Sequence, residues 1–212
     1  VLFWLFTGWA AVHLALVAIE VLHRPVFPWD AWQTWMYRSK AWFYLGNVVP
    51  LDSAVAWEQG KATATYNTFG AAYPKFVSVI ALWAATALGQ WHEQLINLPT
   101  LFCGVALALA FYGHCREAEL PRWSSALGVY LLVSIPLIGS HLALAGQADI
   151  WQTSFTGLGF VALLWGIVRG ARWHKALGLT LIVLGIAVKN EGMVWLMVAL
   201  ALLAVTTRPR LS

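Results

Sequence analysis

Long runs of apolar residues are the feature that most restricts what this chain can fold into. A membrane-spanning helix needs about 20 consecutive apolar residues, somewhat fewer when it is short or tilted. The runs that approach this length are 1–21, 96–112, 124–144, 150–168, 176–188 and 193–206. Of the 212 residues, 60% are hydrophobic and only 10% are charged, which excludes a soluble enzyme, a disordered chain and a disulfide scaffold. We therefore predict an all-α, polytopic transmembrane helical bundle.

A long hydrophilic segment, residues 23–73, separates the first apolar run from the others. Loops of this length inside compact proteins are usually functional. Within it Trp29, Trp32 and Trp35 recur at helical spacing, so 29–44 is predicted to form a helix on the membrane surface; an aromatic belt is the alternative. The apolar stretch 76–88 that follows is short for a span, which predicts a re-entrant or interfacial helix.

The basic residues predict how the chain is oriented. Short loops rich in Lys and Arg stay in the cytoplasm. The residues concerned are Arg116, Arg122, Arg169, Arg172, Lys175, Arg208 and Arg210. The alternate loops then face outward, and Asp30, Asp149 and Glu191 fall on one outer face provided that 76–88 does not span. The basic residues are scattered over short loops, so the net charge of +4 does not indicate nucleic-acid binding.

Charged side chains at the ends of spans are the candidates for chemistry, because charge at membrane depth is costly. Asp30 follows the first span among prolines and tryptophans. It could act as a general base on an acceptor hydroxyl or merely cap the next helix. Lys75, after Tyr73-Pro74, could bind a lipid phosphate or anchor the chain at the headgroups.

Two short polar turns add further candidates. Asp149 opens a span, where it could cap the helix or bind a cation or a substrate. Lys189 and Glu191 lie between two apolar runs with almost no loop, either as an ion pair or as the wall of a polar site. The sequence contains no HExxH, paired CxxC, GxGxxG or P-loop motif, so it gives no support to zinc-protease, dehydrogenase or P-loop functions.

The order of these features resembles the polytopic C-type glycosyltransferase superfamily, of the protein-mannosyltransferase and lipid A aminoarabinose-transferase type. The matching elements are Asp30 after the first span, Tyr73-Pro74, Gly146-Gln147-Ala148-Asp149 and Lys189-Asn190-Glu191-Gly192. The resemblance covers nearly the whole chain but only the N-terminal half or so of such an enzyme. It departs from the family where Trp29 and Ala31 flank Asp30 without a second acid, and where Lys75 replaces the second proline of a Tyr-Pro-Pro element.

The resemblance implies a division into regions. Residues 1–212 would be a single integral-membrane domain, an N-terminal fragment of a longer enzyme. Within it 23–73 would be an outer loop that carries the catalytic Asp, and 74–212 would be the remaining helices. The expected location is the inner (plasma) membrane of a bacterium, with the site on its outer face.

The resemblance also implies a reaction, the transfer of a sugar from a polyprenyl-phosphate carrier to an acceptor hydroxyl. Asp30 would be the catalytic base. Lys75, Arg38 or Lys40 would clamp the phosphate. The rest of the expected substrate-binding set is Tyr73, Gln147, Asp149, Lys189 and Glu191. Gln147 and Asp149 would hold sugar hydroxyls or a divalent cation, whose presence stays open because members of the family differ in metal use. The partners would be the lipid-linked donor, the bilayer and an acceptor that the sequence does not specify.

Three other functions remain open at this stage. A transporter or flippase would carry charges near the bilayer midplane on broken helices. A non-catalytic assembly subunit would tolerate Asp30→Asn and Glu191→Gln. An O-antigen ligase or polymerase would share the donor type.

Overall fold

The computed structural model describes residues 1–61, 70, 72–144 and 146–206. Helices make up 78% of the structure and the described residues contain no β-strand, which confirms the predicted all-helical class. The chain divides into two compact units, Val1–Ile150 and Trp151–Ser212, and each is described by itself. The single integral-membrane domain over 1–212 stays a prediction.

The first unit contains seven α-helices in its described part. They are α1 (Leu2–His23), α2 (Met36–Leu45), α3 (Ala54–Glu58), α4 (Phe76–Leu88), α5 (Leu98–Glu117), α6 (Arg122–Val133) and α7 (Pro136–Ala143). A π-helix, Ala31–Trp35, runs directly into α2, and a 3-10 helix, Leu95–Asn97, runs into α5. The helix α8 (Asp149–Val168) begins at the end of this unit.

The long helices of the first unit pack through small side chains. Ala10 of α1, Ala108 of α5 and Val133 of α6 form a buried cluster, and small residues let helices of this kind approach closely. Most of the surface of α1 faces outward: only 11% of its most apolar stretch is buried. An apolar helix so exposed fits a lipid environment.

Among the described residues, three helices are long and apolar enough to cross a membrane: Leu2–His23, Leu95–Glu117 and Asp149–Val168. The pair α6 and α7 would form a fourth span, bent by 62°. Pro136 causes this break, as its sequence position predicts, because it lacks the N–H that would continue α6. The sequence also predicts a kink at Pro99, because this proline lies within the apolar run 96–112. That prediction is wrong, since Pro99 lies in the first turn of α5, where a missing N–H costs nothing.

The segment 29–45 is helical, and α4 has the bounds predicted for the short apolar stretch. One detail differs from the prediction of an amphipathic surface helix with its tryptophans at the headgroups. Trp35 and Met36 are only 3% and 5% exposed, because α4 packs against this segment. Trp29 and Trp32 are the exposed members of the series.

The second unit consists, in its described part, of most of α8 with α9 (Arg172–Val188) and α10 (Gly192–Thr206). Leu163, Ile182 and Ala199, one from each helix, form its buried core. Glycines bring α8 and α9 into backbone contact: a Cβ at Gly178 would lie 2.6 Å from the carbonyl oxygen of Gly159. Three helices held this way form a small bundle.

Candidate functional site

Several candidate site residues of the first unit lie in or next to the π-helix Ala31–Trp35. The Trp35 carbonyl, at the junction of this helix with α2, accepts side-chain hydrogen bonds, and Ser78 Oγ of α4 donates to it at 2.7 Å. Ser39 Oγ lies 3.0 Å from the same carbonyl and 2.8 Å from the Ser78 carbonyl, to one of which it donates at a time. Ser39 and Ser78 are fully buried, so these contacts fasten α2 to α4. Single π-helical turns recur at functional sites.

Asp30 directly precedes the π-helix and has an exposed carboxylate. Its backbone is already helical (φ −63°, ψ −40°) and its side chain makes no capping hydrogen bond. The carboxylate has no partner among the described residues, so the alternative of a helix cap does not apply. Trp29 and Trp32, which are 63% and 59% exposed, precede and follow it in the sequence, and their ring centroids lie 6.3 Å apart. The carboxylate is therefore accessible on a turn that also carries two accessible indoles.

The turn before α8 packs directly on the π-helix and on the first residue of α2. Gly146 has φ +82°, and a Cβ there would lie 2.9 Å from Met36 Cγ and 3.1 Å from Ala31 Cβ. Glycine is required both by this approach and by the positive φ. Ala31 and Ala148 are both 0% exposed. The structure thus brings the segment with Gln147 and Asp149 against the residue that follows Asp30.

Asp149 has a neighbour that the sequence did not indicate. His141 Nδ1 is buried and lies 4.0 Å from Asp149 Oδ2, a distance at which the two pair as ions when the imidazole is protonated. His141 belongs to α7, and the bend between α6 and α7 sets its position. No spacing rule links the two residues, so only the fold reveals the pair.

Arg38 is 0% exposed. Its guanidinium donates two hydrogen bonds of 2.8 Å, from Nη1 to the Tyr73 carbonyl and from Nη2 to the Pro74 carbonyl. The Arg38 guanidinium also lies 5.7 Å from the Trp35 ring, and that ring meets Tyr73 edge-on at 5.2 Å. Within the described residues no carboxylate pairs with it. Arg38 therefore positions the Tyr73-Pro74 segment, while the phosphate contact proposed for it stays a prediction.

Burial lowers the pKa of Arg38 to about 10, well below the ordinary value of an arginine. The guanidinium is still protonated at neutral pH. Because the folded-state pKa lies below that of the unfolded chain, burial of the charge opposes folding at every pH below about 10. This cost is relieved as the pH rises further. The two carbonyl hydrogen bonds offset it, which makes their geometry important.

We expect Arg38→Lys to destabilise the first unit by about 1–3 kcal/mol, because lysine keeps the charge but cannot reach both carbonyls and leaves a buried acceptor unpaired. The measurement is unfolding of the detergent-solubilised protein, followed by helix content. The matched control is Lys40→Gln on the same helix. Lys40 forms an exposed ion pair of 2.8 Å with Glu93, and such pairs contribute at most about 1 kcal/mol. Equal loss in the two variants would refute the positioning role.

The remaining candidates of the first unit differ in accessibility. Lys75 precedes α4 and is exposed; its ammonium makes no hydrogen bond or ion pair with any residue in the described ranges. Tyr73 is half-buried, and Gln147 is partly exposed. Lys40 is held by Glu93 and lies over the Trp91 ring at 5.8 Å. Lys75 is thus the basic candidate best able to meet an anion.

Lys189 and Glu191 lie in the second unit, in the turn between α9 and α10. Lys189 ends α9 with an extended backbone, and its N–H donates to the Gly185 carbonyl. Glu191 is exposed, and its carbonyl accepts from the Val194 N–H at 3.0 Å. Both alternatives of the sequence analysis, an ion pair between these two side chains and the wall of a polar site, stay open. Their contribution to substrate binding stays a prediction.

The described residues contain no group of three or more His, Cys, Asp and Glu side chains able to hold a metal ion. The pair His141 and Asp149 offers two potential ligands. The divalent cation that the resemblance leaves open therefore stays a hypothesis.

Comparisons of the chain with models of known protein families, with curated proteins and with solved structures find no match in any of the three. The likeness to the C-type glycosyltransferases accordingly rests on the order of the motifs, together with the chemistry of the residues gathered around the π-helix.

Proposed function

We propose that this chain is the sugar-transferring part of a membrane glycosyltransferase, which moves a sugar from a polyprenyl-phosphate carrier to an acceptor hydroxyl outside a bacterial inner membrane. The observation that carries the proposal is the packing of Gly146 on Ala31 and Met36. It joins the segment of Asp30 to the segment of Asp149, which are far apart in sequence. This contact supports the assignment of the accessible Asp30 carboxylate and of Asp149 to one site.

The chemistry needs a base and a cation. The acceptor oxygen attacks the anomeric carbon while its proton passes to the Asp30 carboxylate. The bond from the anomeric carbon to the phosphate oxygen breaks, and its electron pair leaves with the polyprenyl phosphate. Lys75 offers this anion an ammonium that pairs with none of the described residues. Arg38 supports the step indirectly by holding the Tyr73 and Pro74 carbonyls.

We assign the lipid part of the donor to an apolar cavity in the first unit. An apolar cavity of about 300 Å³ lies between α1, α5 and α6. Phe3, Leu14, Val105, Leu109 and Val129 are among its lining residues. A hydrocarbon chain can fill this cavity without desolvating a charged group, because no charged residue is among its lining residues. The three long apolar helices support the membrane location.

The proposal is tested by transfer and topology together. Proteoliposomes of the protein, given a radiolabelled polyprenyl-phosphate sugar, should release polyprenyl phosphate only when an acceptor is present. Single cysteines at 30, 149 and 191, with Cys103 and Cys115 replaced by Ala, should all react from outside intact cells with an impermeant thiol reagent. Labelling of position 30 from the side opposite to 149 would refute a single outer site.

A transporter or flippase is the second candidate, and the broken span favours it. At the 62° bend, His13 Nε2 of α1 is buried, makes no hydrogen bond in the described structure, and lies 3.4 Å from where a Cβ at Gly139 would be. Unpaired polar groups beside broken helices mark transport sites. His13→Leu should abolish movement of a lipid-linked sugar across vesicles if the protein is a carrier, and should leave transfer intact if it is a transferase.

A further inference from the structure

A second cavity, of about 420 Å³, lies at the far end of the α2 and α4 pair. Its lining comes from the last turn of α2, the chain that follows it, and the last turns of α4. The residues are Trp42, Phe43, Gly46, Asn47, Val48, Leu82 and Thr86. Trp42, the first lining residue on α2, lies about 10 Å along the helix axis from the end of the π-helix at Trp35. The cavity is therefore distinct from the surface around Asp30.

The charge around this cavity argues for a neutral ligand. No ionisable side chain is present in the described lining. Both helices end here, at Gly46 and Gly89, with no basic residue in either last turn. Helix C-termini carry partial negative charge, so they disfavour a phosphate or carboxylate here, and no residue of the described lining carries a positive charge. Exposed backbone carbonyls at such ends accept hydrogen bonds from hydroxyl groups instead.

The walls combine aromatic faces with a polar side chain, Asn47, that has no hydrogen-bond partner among the described residues. Trp42 is fixed by a 2.8 Å hydrogen bond from its Nε1 to the Val49 carbonyl, and Phe43 packs on Trp91 with ring centroids 6.1 Å apart. Asn47 is exposed, and its amide has no hydrogen bond to the described residues. Thr86 Oγ1 donates to the Leu82 carbonyl and keeps its lone pairs for a donor.

We propose that this cavity binds a neutral pyranose ring. A pyranose has an apolar C–H face that can stack on Phe43 and equatorial hydroxyls that can bond the Asn47 amide and the helix-end carbonyls. Pockets of this size hold small organic ligands. The inference goes beyond the proposed function, because sugar binding at this cavity does not depend on catalysis by Asp30. In a glycosyltransferase, the bound ring would belong to a glycan acceptor.

The test is saturation-transfer NMR on the protein in nanodiscs. The neutral probes are the methyl glycosides of glucose, mannose, galactose and N-acetylglucosamine; glucose 1-phosphate and choline are the anionic and cationic probes. We expect transfer to the ring C–H protons of at least one neutral glycoside, and weaker transfer to either charged probe. Binding by no neutral glycoside, or preferential binding of choline or of the phosphate, overturns the proposal.

Variants locate the site. Asn47→Ala should weaken binding about fivefold, the loss of one neutral hydrogen bond, and Phe43→Leu about tenfold through the lost aromatic face. Thr86→Val should weaken it, whereas Thr206→Val should not; both hydroxyls donate to the carbonyl four residues earlier at 2.8 Å. Asn47→Ala removes no hydrogen bond within the described fold, so its folding is secure. Unchanged binding in Asn47→Ala and Phe43→Leu places the sugar elsewhere and refutes the assignment.

Discussion

We expect Asp30→Asn to lower the rate of sugar transfer by about a hundredfold to ten-thousandfold, the usual contribution of a general base. Asparagine has the same shape but cannot take the acceptor proton. The Asp30 side chain is exposed and makes no capping bond, so the fold should be unaffected. The measurement is a single-turnover assay with lipid-linked sugar, in which binding of the donor is separated from the chemical step.

The matched control for this prediction is Glu58→Gln. Glu58 is another exposed carboxylate of the segment 23–73, on the short helix α3, and it should be dispensable. Loss of transfer in Asp30→Asn with normal unfolding identifies Asp30 as the base. Full activity in that variant would contradict the role, and equal losses in the two variants would point to charge in the segment rather than to one residue.

The second large effect concerns stability and involves Gly178→Ala in the second unit. A Cβ at this position would lie 2.6 Å from both the Gly159 carbonyl oxygen and the Leu163 amide nitrogen. Backbone atoms cannot move aside as a flexible side chain can, so α8 and α9 must separate. We expect a loss of about 1–3 kcal/mol in the free energy of unfolding, although alanine favours helix by about 1 kcal/mol over glycine.

Gly157→Ala supplies the matched control, because a Cβ there would have no atom within 4 Å. It should raise stability by up to about 1 kcal/mol through helix propensity alone. Unfolding in mixed detergent micelles, followed by circular dichroism, measures both variants. Opposite signs are the expected result. If both variants shift stability in the same direction, the backbone contact between α8 and α9 is absent in solution.

The sequence was most informative where structure depends on neighbouring residues. The bounds of α4 follow from an apolar run with a Pro before it and a Gly after it, and the break before α7 follows from Pro136. The same local logic failed at Pro99, because a proline in a first turn and one in mid-helix differ only in where the helix begins.

For the candidate site, the sequence identified residue types but not their surroundings. Asp30 and Lys75, chosen as charged groups next to apolar runs, are both exposed, while their roles stay predictions. Arg38 reads as one more basic residue, yet it is buried with its guanidinium on two carbonyls. Which arginine is buried depends on where α4 packs, and no pattern within α2 encodes that.

By itself, then, the sequence determined the helices and their apolar character, because run length, proline and glycine act within a few residues of themselves. Tertiary structure alone decided which residues meet. The contact of Gly146 with Ala31, the approach of His141 to Asp149, and the cavity at the ends of α2 and α4 each join segments that are separated along the chain or by a bend. Such contacts depend on the summed packing of whole helices, to which each residue contributes only a small part.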